Sequence, residues 1–320
     1  MFPHKKIFVA GHKGLVGSAI VRKLQFENFD HIVTRSRLEL DLTNQHAVNN
    51  FFEKEKPEIV FLAAGKVGGI HANSTYPADF IRDNLLIEIN IIDAAYRNQV
   101  ERLIYLGSSC IYPKNAPQPL KEEYLLTSVL ESTNEAYAMA KISGIKMCQA
   151  YEKQYGFNSI SLMPTNLYGF NDNFDLSNGH VLPALIRKIH EAKRADAKYV
   201  EIWGTGNPKR EFLNVDDLAA ACFLLMNESK ETLKEIAPDG IINVGAGEDL
   251  TIRELANLIC RVIGLEGELK FNDSMPDGTM RKLLDISRIS KLGWKPQLSL
   301  EIGLAQTYKW YNENVQTARA

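Results

Sequence analysis

Gly11, Gly14 and Gly17 stand between two segments of opposite character, and that arrangement narrows the fold more than any other feature of the chain. Ahead of them, Ile7-Phe8-Val9-Ala10 is short and apolar and carries two β-branched residues, the pattern of a buried strand. Behind them, Ser18-Ala19-Ile20-Val21-Arg22-Lys23-Leu24 has helical periodicity. Strand, glycine loop and helix in that order suit a dinucleotide site. Gly11 would permit the tight turn, Gly14 would let a pyrophosphate approach the backbone, and Gly17 would let helix and strand pack closely. The free N–H groups and the dipole of the helix N-terminus would face the phosphates. The spacing is G-x-x-G-x-x-G rather than the commoner G-x-G-x-x-G. A glycine-rich turn can also be purely structural, so the rest of the chain has to decide.

Strand and helix patterns alternate through the first half. Residues 31–34, 59–64, 103–106 and 159–163 read as strands, and 45–55, 79–98 and 134–155 as helices. Near-continuous apolar strands separated by helices predict an α/β fold with a Rossmann-type doubly wound parallel sheet. Ligands of such sheets lie beyond the carboxyl ends of the strands, where Gly11, Gly65, Ser108 and Pro164 fall. After about residue 170 the pattern changes: 171–179 is polar and turn-rich, and the remainder of the chain mixes helices such as 182–192 with short strands such as 199–203. We read 1–170 as a nucleotide-binding domain and 171–320 as mainly a smaller mixed α/β substrate-binding lobe. A segment near 212–246, including Ile241-Ile242-Asn243-Val244, is expected to return to the main sheet.

Two short stretches carry chemistry. Ser108-Ser109-Cys110 follows the apolar run Leu103-Ile104-Tyr105-Leu106, and Tyr137 precedes Lys141 by four residues in a helical segment. The i, i+4 spacing puts phenol and ammonium on one face, one turn apart. A tyrosine, with an ordinary pKa of about 10, is a poor acid–base group at neutral pH. A fixed positive charge beside it favours the phenolate, and a serine hydroxyl donating to the same oxygen helps further. The result is a proton donor matched to a carbonyl that becomes an alcohol. Tyr-x-x-x-Lys alone is common in helices and draws its value here from the glycine loop.

The second strand ends at Arg35 and Arg37, where an NAD site would usually place an acid for the ribose 2′-OH. Cations suit a 2′-phosphate, so NADP(H) is expected, with Lys13 as a third contact; Glu39 nearby works against this. The remaining composition excludes classes. A net charge of −2 gives no support for nucleic-acid binding. The four cysteines form no C-x-x-C pair and no metal spacing, which suggests a reduced, cytoplasmic protein with no metal site. The N-terminus runs into the first strand, so no signal peptide is expected, and no apolar run approaches the roughly 20 residues of a membrane helix.

Glycine loop, Ser-Ser-Cys, Tyr-x-x-x-Lys and a substrate lid together resemble the extended short-chain dehydrogenase/reductase family, whose members mostly modify nucleotide sugars. Lys66-Val67-Gly68-Gly69-Ile70, Gly107-Ser108-Ser109-Cys110-Ile111-Tyr112-Pro113, Met163-Pro164-Thr165-Asn166-Leu167-Tyr168-Gly169 and Arg210-Glu211-Phe212-Leu213 are similar to the branch of it that makes GDP-L-fucose. Lys13, where that branch often has arginine, keeps the charge but loses the fork. The resemblance implies a GDP-4-keto-6-deoxy-mannose substrate, 3,5-epimerisation and NADPH-dependent 4-reduction. It implies that Tyr137 protonates the C4 oxygen, that Lys141 lowers its pKa and binds the nicotinamide ribose, and that Ser108 hydrogen-bonds the same oxygen. Cys110 becomes a base and His180 an acid. Read alone, the cysteine would more often be a small buried hydrophobe and the histidine a cap or surface residue. Cofactor contacts are implied along Gly11, His12, Lys13, Gly14, Leu15, Val16 and Gly17, at Arg35 and Arg37, along Leu106, Gly107, Ser108 and Ser109, at Lys141, along Pro164, Thr165, Asn166 and Leu167, and at His180. Substrate contacts are implied at Lys188, Trp203, Arg210, Asp277 and Lys282. His71 and Tyr76, in the loop after Gly65, would close over the sugar; His4, His31, His46 and His190 read as surface residues. The alanine-bearing helix 134–155 suggests a homodimer.

Two other readings stay open from sequence. One is a related 4-epimerase, 4-reductase or 4,6-dehydratase. Dehydratases of the family carry an Asp-Glu pair where Ser109-Cys110 stands. The other is a non-catalytic NADP-binding module, although such proteins typically lose the Tyr or Lys that this chain keeps.

Overall fold

The computed structural model describes residues 4–275 and 277–318. In chain order the first half runs β1 (Ile7–Ala10), α1 (Leu15–Phe26), β2 (Ile32–Val33), α2 (Gln45–Glu55), β3 (Ile59–Leu62), α3 (Ile70–Thr75), α4 (Pro77–Arg97), β4 (Arg102–Leu106), α5 (Glu135–Tyr155) and β5 (Ser159–Pro164). The second half runs β6 (Asn166–Tyr168), α6 (Val181–Arg194), β7 (Tyr199–Trp203), β8 (Lys209–Arg210), β9 (Phe212–Asn214), α7 (Val215–Asn227), α8 (Lys230–Ile236) and β10 (Ile241–Val244). It ends with β11 (Leu250–Thr251), α9 (Ile252–Ile263), β12 (Glu268–Asn272), β13 (Arg281–Lys282), α10 (Ser287–Ser290) and α11 (Leu300–Asn314).

The central sheet has strand order β10-β5-β4-β3-β1-β2, every pair parallel. Strands β1, β3, β4 and β10 are buried along their whole length, as expected where helices cover both faces. One face packs α1 and α7 around Ile20, Leu24, Leu218 and Leu225; the other packs α2, α4 and α5 around Phe52, Ile91, Ile92 and Ile145. This is the doubly wound α/β sheet that the alternating pattern implies. Strand β10, far along the chain, forms one edge by pairing with β5. A third core, including Leu185, Ile189, Ile202, Ile259 and Tyr311, joins α6, α9 and α11 to the β7–β12 ribbon.

Local chemistry sets the helix ends. Asn44 caps α2 by accepting the Ala47 N–H at 3.0 Å, and Thr251 with Glu254 forms a reciprocal capping box on α9. Gly156 and Gly264 end α5 and α9 in the left-handed region, at φ 71° and 73°.

Four local expectations change. The second strand is only two residues long, Ile32–Val33, and the turn that follows begins at Arg37. The segment after Gly65 is not all loop: residues 70–75 form α3, which carries His71, and Tyr76 caps it. His190 is 6% exposed rather than superficial, its Nδ1 lying 3.1 Å from the Tyr308 hydroxyl inside the third core. In α5, Ala138 and Ala140 face the interior, and Met139 is the exposed apolar residue of that turn.

Candidate active site

The site assembles at the carboxyl ends of β1, β3, β4 and β5. Gly11 has φ 88°, and a Cβ there would meet the Ala64 backbone at 2.8 Å, so the turn after β1 lies directly against the end of β3. A Cβ on Gly17 would overlap the Gly11 carbonyl. Gly14 opens α1 with extended backbone and no side-chain cap, leaving the helix-start N–H groups of Leu15 and Val16 facing the turn. This cradle fits a dinucleotide pyrophosphate. Gly17→Ala is expected to cost about 1–3 kcal/mol of stability, the usual cost of overpacking, and to weaken NADPH binding. Thermal unfolding with and without NADPH checks both effects; parental stability and affinity would contradict the packing role.

His12, Lys13, Arg35 and Glu39 gather at the ends of β1 and β2. Burial and Lys13 push the His12 imidazole down, and hydrogen bonds to Ser36 hold the exposed Glu39 carboxyl below its usual range. Arg35 is spoken for: its guanidinium donates to Glu55 at 2.7 Å and to the Thr34 carbonyl at 2.7 Å. Lys13 and Arg37 are the exposed cations of the group.

Strand β4 delivers the reactive groups. Gly107 continues its ladder by donating to the Leu162 carbonyl, and Ser108-Ser109-Cys110 then curls into a short 3₁₀ turn. Ser108 Oγ and Cys110 Sγ are 2.7 Å apart. Tyr137, 9% exposed, packs edge-on to Phe80 at 6.3 Å with Cys110 alongside. One turn on, the Lys141 ammonium donates to the Leu106 carbonyl at 3.0 Å and sits 6.0 Å from the Tyr137 ring centre. Burial, together with charge at Cys110 and Glu88, pushes the Tyr137 phenol well above the usual tyrosine range; the Ser108 hydroxyl opposes this. That departs from the expectation that Lys141 lowers it. The ammonium lies 3.1 Å from the buried Glu88 carboxyl, which burial pushes above the usual carboxylate range against the pull of Lys141.

The remaining segments close around this point. Pro164 ends β5 and Leu167 lies half-buried in β6. The Thr165 hydroxyl and the Asn166 amide both donate to the Glu211 carbonyl, at 3.2 and 2.9 Å, so Asn166 anchors β6 to the lobe. Gly69 donates to the Asn178 carbonyl, which seats the segment after β3 against the loop that leads to His180. A Cβ on Gly278 would meet both Arg210 and Ile70, so those segments also converge. Asp277 shapes the neighbouring turn by accepting the Thr205 N–H and hydroxyl at 3.0 and 2.7 Å. Lys188 lies over the Trp203 ring at 5.8 Å, and Trp203 is 56% exposed, an open aromatic face rather than core.

Solvent reaches His180, Lys188, Arg210 and Lys282, yet burial pushes each of them down. Groups both wetted and walled in by protein line a cleft. Asp277 partly offsets the loss at Arg210, and proximity to Cys110 partly offsets it at Lys282. An incompletely compensated cluster of cations is suited to a diphosphate. Sequence reasoning missed three positioning residues. Asn84 brackets Lys66 by accepting its N–H and donating to its carbonyl, at 2.9 and 3.0 Å. Buried Glu211 accepts the Gly247 and Leu284 N–H groups, at 2.8 and 3.0 Å. Glu88 is the third. Their partners lie far off in sequence, so no local pattern marks them.

Among the described residues no cluster of ligands suits a metal ion, and no helix is long and apolar enough to cross a membrane. A parallel doubly wound sheet with a glycine turn and a Ser/Tyr/Lys group at its carboxyl edge defines a nucleotide-dependent reductase or epimerase class. The chain belongs to the NAD dependent epimerase/dehydratase family, whose profile matches residues 7–245. Its relatives include GDP-L-fucose synthase 1 of Arabidopsis thaliana, 58% identical over 97% of this chain and 94% of that one. They also include GDP-L-fucose synthase of Escherichia coli, 54% identical over 97% of each. Among solved structures, MlghC, a GDP-mannoheptose C4 reductase from Campylobacter jejuni with NADP bound, superposes with a TM-score of 0.88 at 43% identity, covering 98% of this chain and 99% of that one.

Proposed function

We propose that this chain converts GDP-4-keto-6-deoxy-mannose to GDP-L-fucose in one cleft, by epimerisation at C3 and C5 followed by NADPH-dependent reduction at C4. One arrangement carries the reading: thiol, serine hydroxyl and phenol meet at the end of β4, beneath a cleft walled by His180, Arg210 and Lys282. The 4-keto group acidifies the protons on both neighbouring carbons. Cys110, as thiolate, removes each, and His180 returns one on the opposite face. NADPH, when bound, supplies the hydride for C4. Tyr137 gives its phenolic proton to the C4 oxygen, Ser108 donates a hydrogen bond to the same oxygen, and Lys141 holds the surrounding backbone. Arg210, Lys188 and Lys282 hold the diphosphate, and Trp203 offers a face for the base. The glycine turn holds the cofactor pyrophosphate, while Lys13 and Arg37 face its 2′-phosphate.

The reading includes a homodimer in the cytoplasm. Exposed Leu86 and Ile89 on α4 and Met139 on the adjoining α5 support the first, and four free cysteines are consistent with the second. Sedimentation at a protomer's mass would remove the dimer.

The deciding assay mixes the protein, NADPH and the keto-sugar nucleotide, follows nicotinamide absorbance, and identifies the product by NMR. NADPH loss with inverted C3 and C5 is the expected result. Loss without inversion would make the chain a plain C4 reductase, the activity named for its Campylobacter neighbour. No reaction by folded, NADPH-bound protein would overturn the reading. Arg37→Ala is expected to narrow the preference for NADPH over NADH by about tenfold, worth ~1.4 kcal/mol, as isothermal titration of both cofactors would measure. Equal parental affinity for the two would exclude a 2′-phosphate site.

A further inference from the structure

Beside the cations of the cleft stands a carboxylate that the reaction as described does not use. Glu211 lies between β8, which ends at Arg210, and β9, and it is 0% exposed. Backbone groups hold its side chain: Oε1 accepts the Gly247 N–H at 2.8 Å and Oε2 accepts the Leu284 N–H at 3.0 Å. Burying a carboxylate is costly unless it is bonded in this way. Burial pushes the Glu211 carboxyl up, and the two N–H groups pull it back. The loop after β10 leaves space for it, since a Cβ on Gly245 would overlap both carboxylate oxygens. The main-chain carbonyl of the same residue is fixed by Thr165 and Asn166, at 3.2 and 2.9 Å. Three segments distant in sequence therefore meet at Glu211: the end of β5, the loop after β10 and the chain after β13.

The last of these segments carries Lys282. Strands β8 and β13 are two residues each, and their parallel register sets Lys282 opposite Arg210. The two like charges oppose one another, and the Arg210 charge helps to push the Lys282 ammonium down. Neither cation forms a salt bridge among the described residues. So short a ladder gives little hold against that repulsion. Residues 118–120 anchor the chain at Leu283 and Asp285, with Gln118 accepting the Leu283 N–H at 2.9 Å. Glu211 ties the same stretch to the residue next to Arg210. We propose that Glu211 is a positioning residue for the substrate diphosphate: by bonding the Leu284 and Gly247 backbone it holds Lys282 abreast of Arg210, so that two cations stand together for one anion. The diphosphate itself rests on the proposed function; the tie between the two cation-bearing strands does not. Cations assembled in advance bind an anion more tightly than cations that must be gathered on binding. A carboxylate suits the task because both of its oxygens accept. An amide in its place would offer one acceptor and turn a donor toward the second N–H.

The test is calorimetric titration of the full chain with GDP and, separately, with NADPH. Glu211→Gln is expected to weaken GDP binding by about tenfold or more, the worth of one hydrogen bond to a charged group, with NADPH affinity at the parental value. The same substitution is then made in a Lys282→Met background. There it is expected to weaken GDP binding by no more than about threefold, because the group it positions is gone and the two effects are not additive. A general loss of packing would act equally in both backgrounds and would weaken NADPH binding as well. If Glu211→Gln does not fold, Glu211→Asp keeps the charge but is one methylene too short to reach both N–H groups, and it is titrated in its place with the same expectation. Parental GDP affinity in the folded variant would overturn the proposal, as would an equal loss with and without Lys282, or a parent that does not bind GDP. If GDP binding behaves as expected but the parent does not consume NADPH with the keto-sugar nucleotide, the functional reading fails and the role of Glu211 stands. If the parent makes the expected product while Glu211→Gln binds GDP as the parent does, the proposal alone fails.

Discussion

Tyr137→Phe is expected to slow NADPH consumption with the keto-sugar nucleotide by about 10²-fold or more, the typical worth of a positioned proton donor, while leaving NADPH affinity near the parental value. The substitution removes one oxygen from a ring that is otherwise held by packing. Phe80 stands edge-on to it, and Ala72 and Cys110 complete its surroundings. The fold therefore has little reason to change, and the loss should fall on the chemical step. Because burial pushes the phenol well above the usual range, Tyr137 carries its proton throughout the neutral region. The parental reductive rate should then show no tyrosine-controlled fall near neutral pH, and the variant should lose rate by a constant factor there. Stopped-flow absorbance of the nicotinamide at several pH values reads this directly. A variant that reduces at the parental rate would exclude Tyr137 as the donor and leave a bound water or another residue in that role.

What could be read ahead of the structure was what depends on neighbours in sequence. Ile7–Ala10, Ile59–Leu62 and Ile241–Val244 are unbroken apolar runs because both sheet faces are covered, so their strands are visible locally. Tyr137 and Lys141 are one helical turn apart whatever surrounds them. Partnerships between distant segments left no such trace. Nothing near Lys141 announces its ion pair with Glu88, 53 positions earlier. Arg35 and Arg37 look equivalent in sequence, and only the approach of Glu55 from the end of α2 distinguishes the paired arginine from the exposed one. His190 resembles a surface histidine in a basic stretch until α11 brings Tyr308 and Tyr311 against it. The cleft itself is of this kind: Arg210, Gly278 and Ile70 meet through tertiary packing of three segments, each polar or turn-like when read alone.

Cys110→Ser should abolish epimerisation, by about 10²-fold or more, with NADPH binding intact, and His180→Gln should fail differently. The two side chains come from separate segments, the turn after β4 and the residue that caps α6. They can therefore serve opposite faces of one ring. In D₂O the parental reaction should place deuterium at C3 and C5, because the proton removed by the thiolate is lost to solvent before His180 delivers another. Without the thiol, neither carbon should exchange. Without the imidazole, Cys110 can still remove a proton, exchange it, and return it to the face it came from. The signature of His180→Gln is thus deuterium entering the substrate with retention at both carbons and little inversion. Burial lowers the His180 imidazole, which makes its protonated form a stronger acid and suits it to giving up a proton quickly once it holds one. NMR of recovered substrate and product, taken without NADPH to isolate epimerisation, separates the outcomes. Exchange persisting at the parental rate in Cys110→Ser would remove Cys110 as the base. Inversion persisting at the parental rate in His180→Gln would remove His180 as the acid.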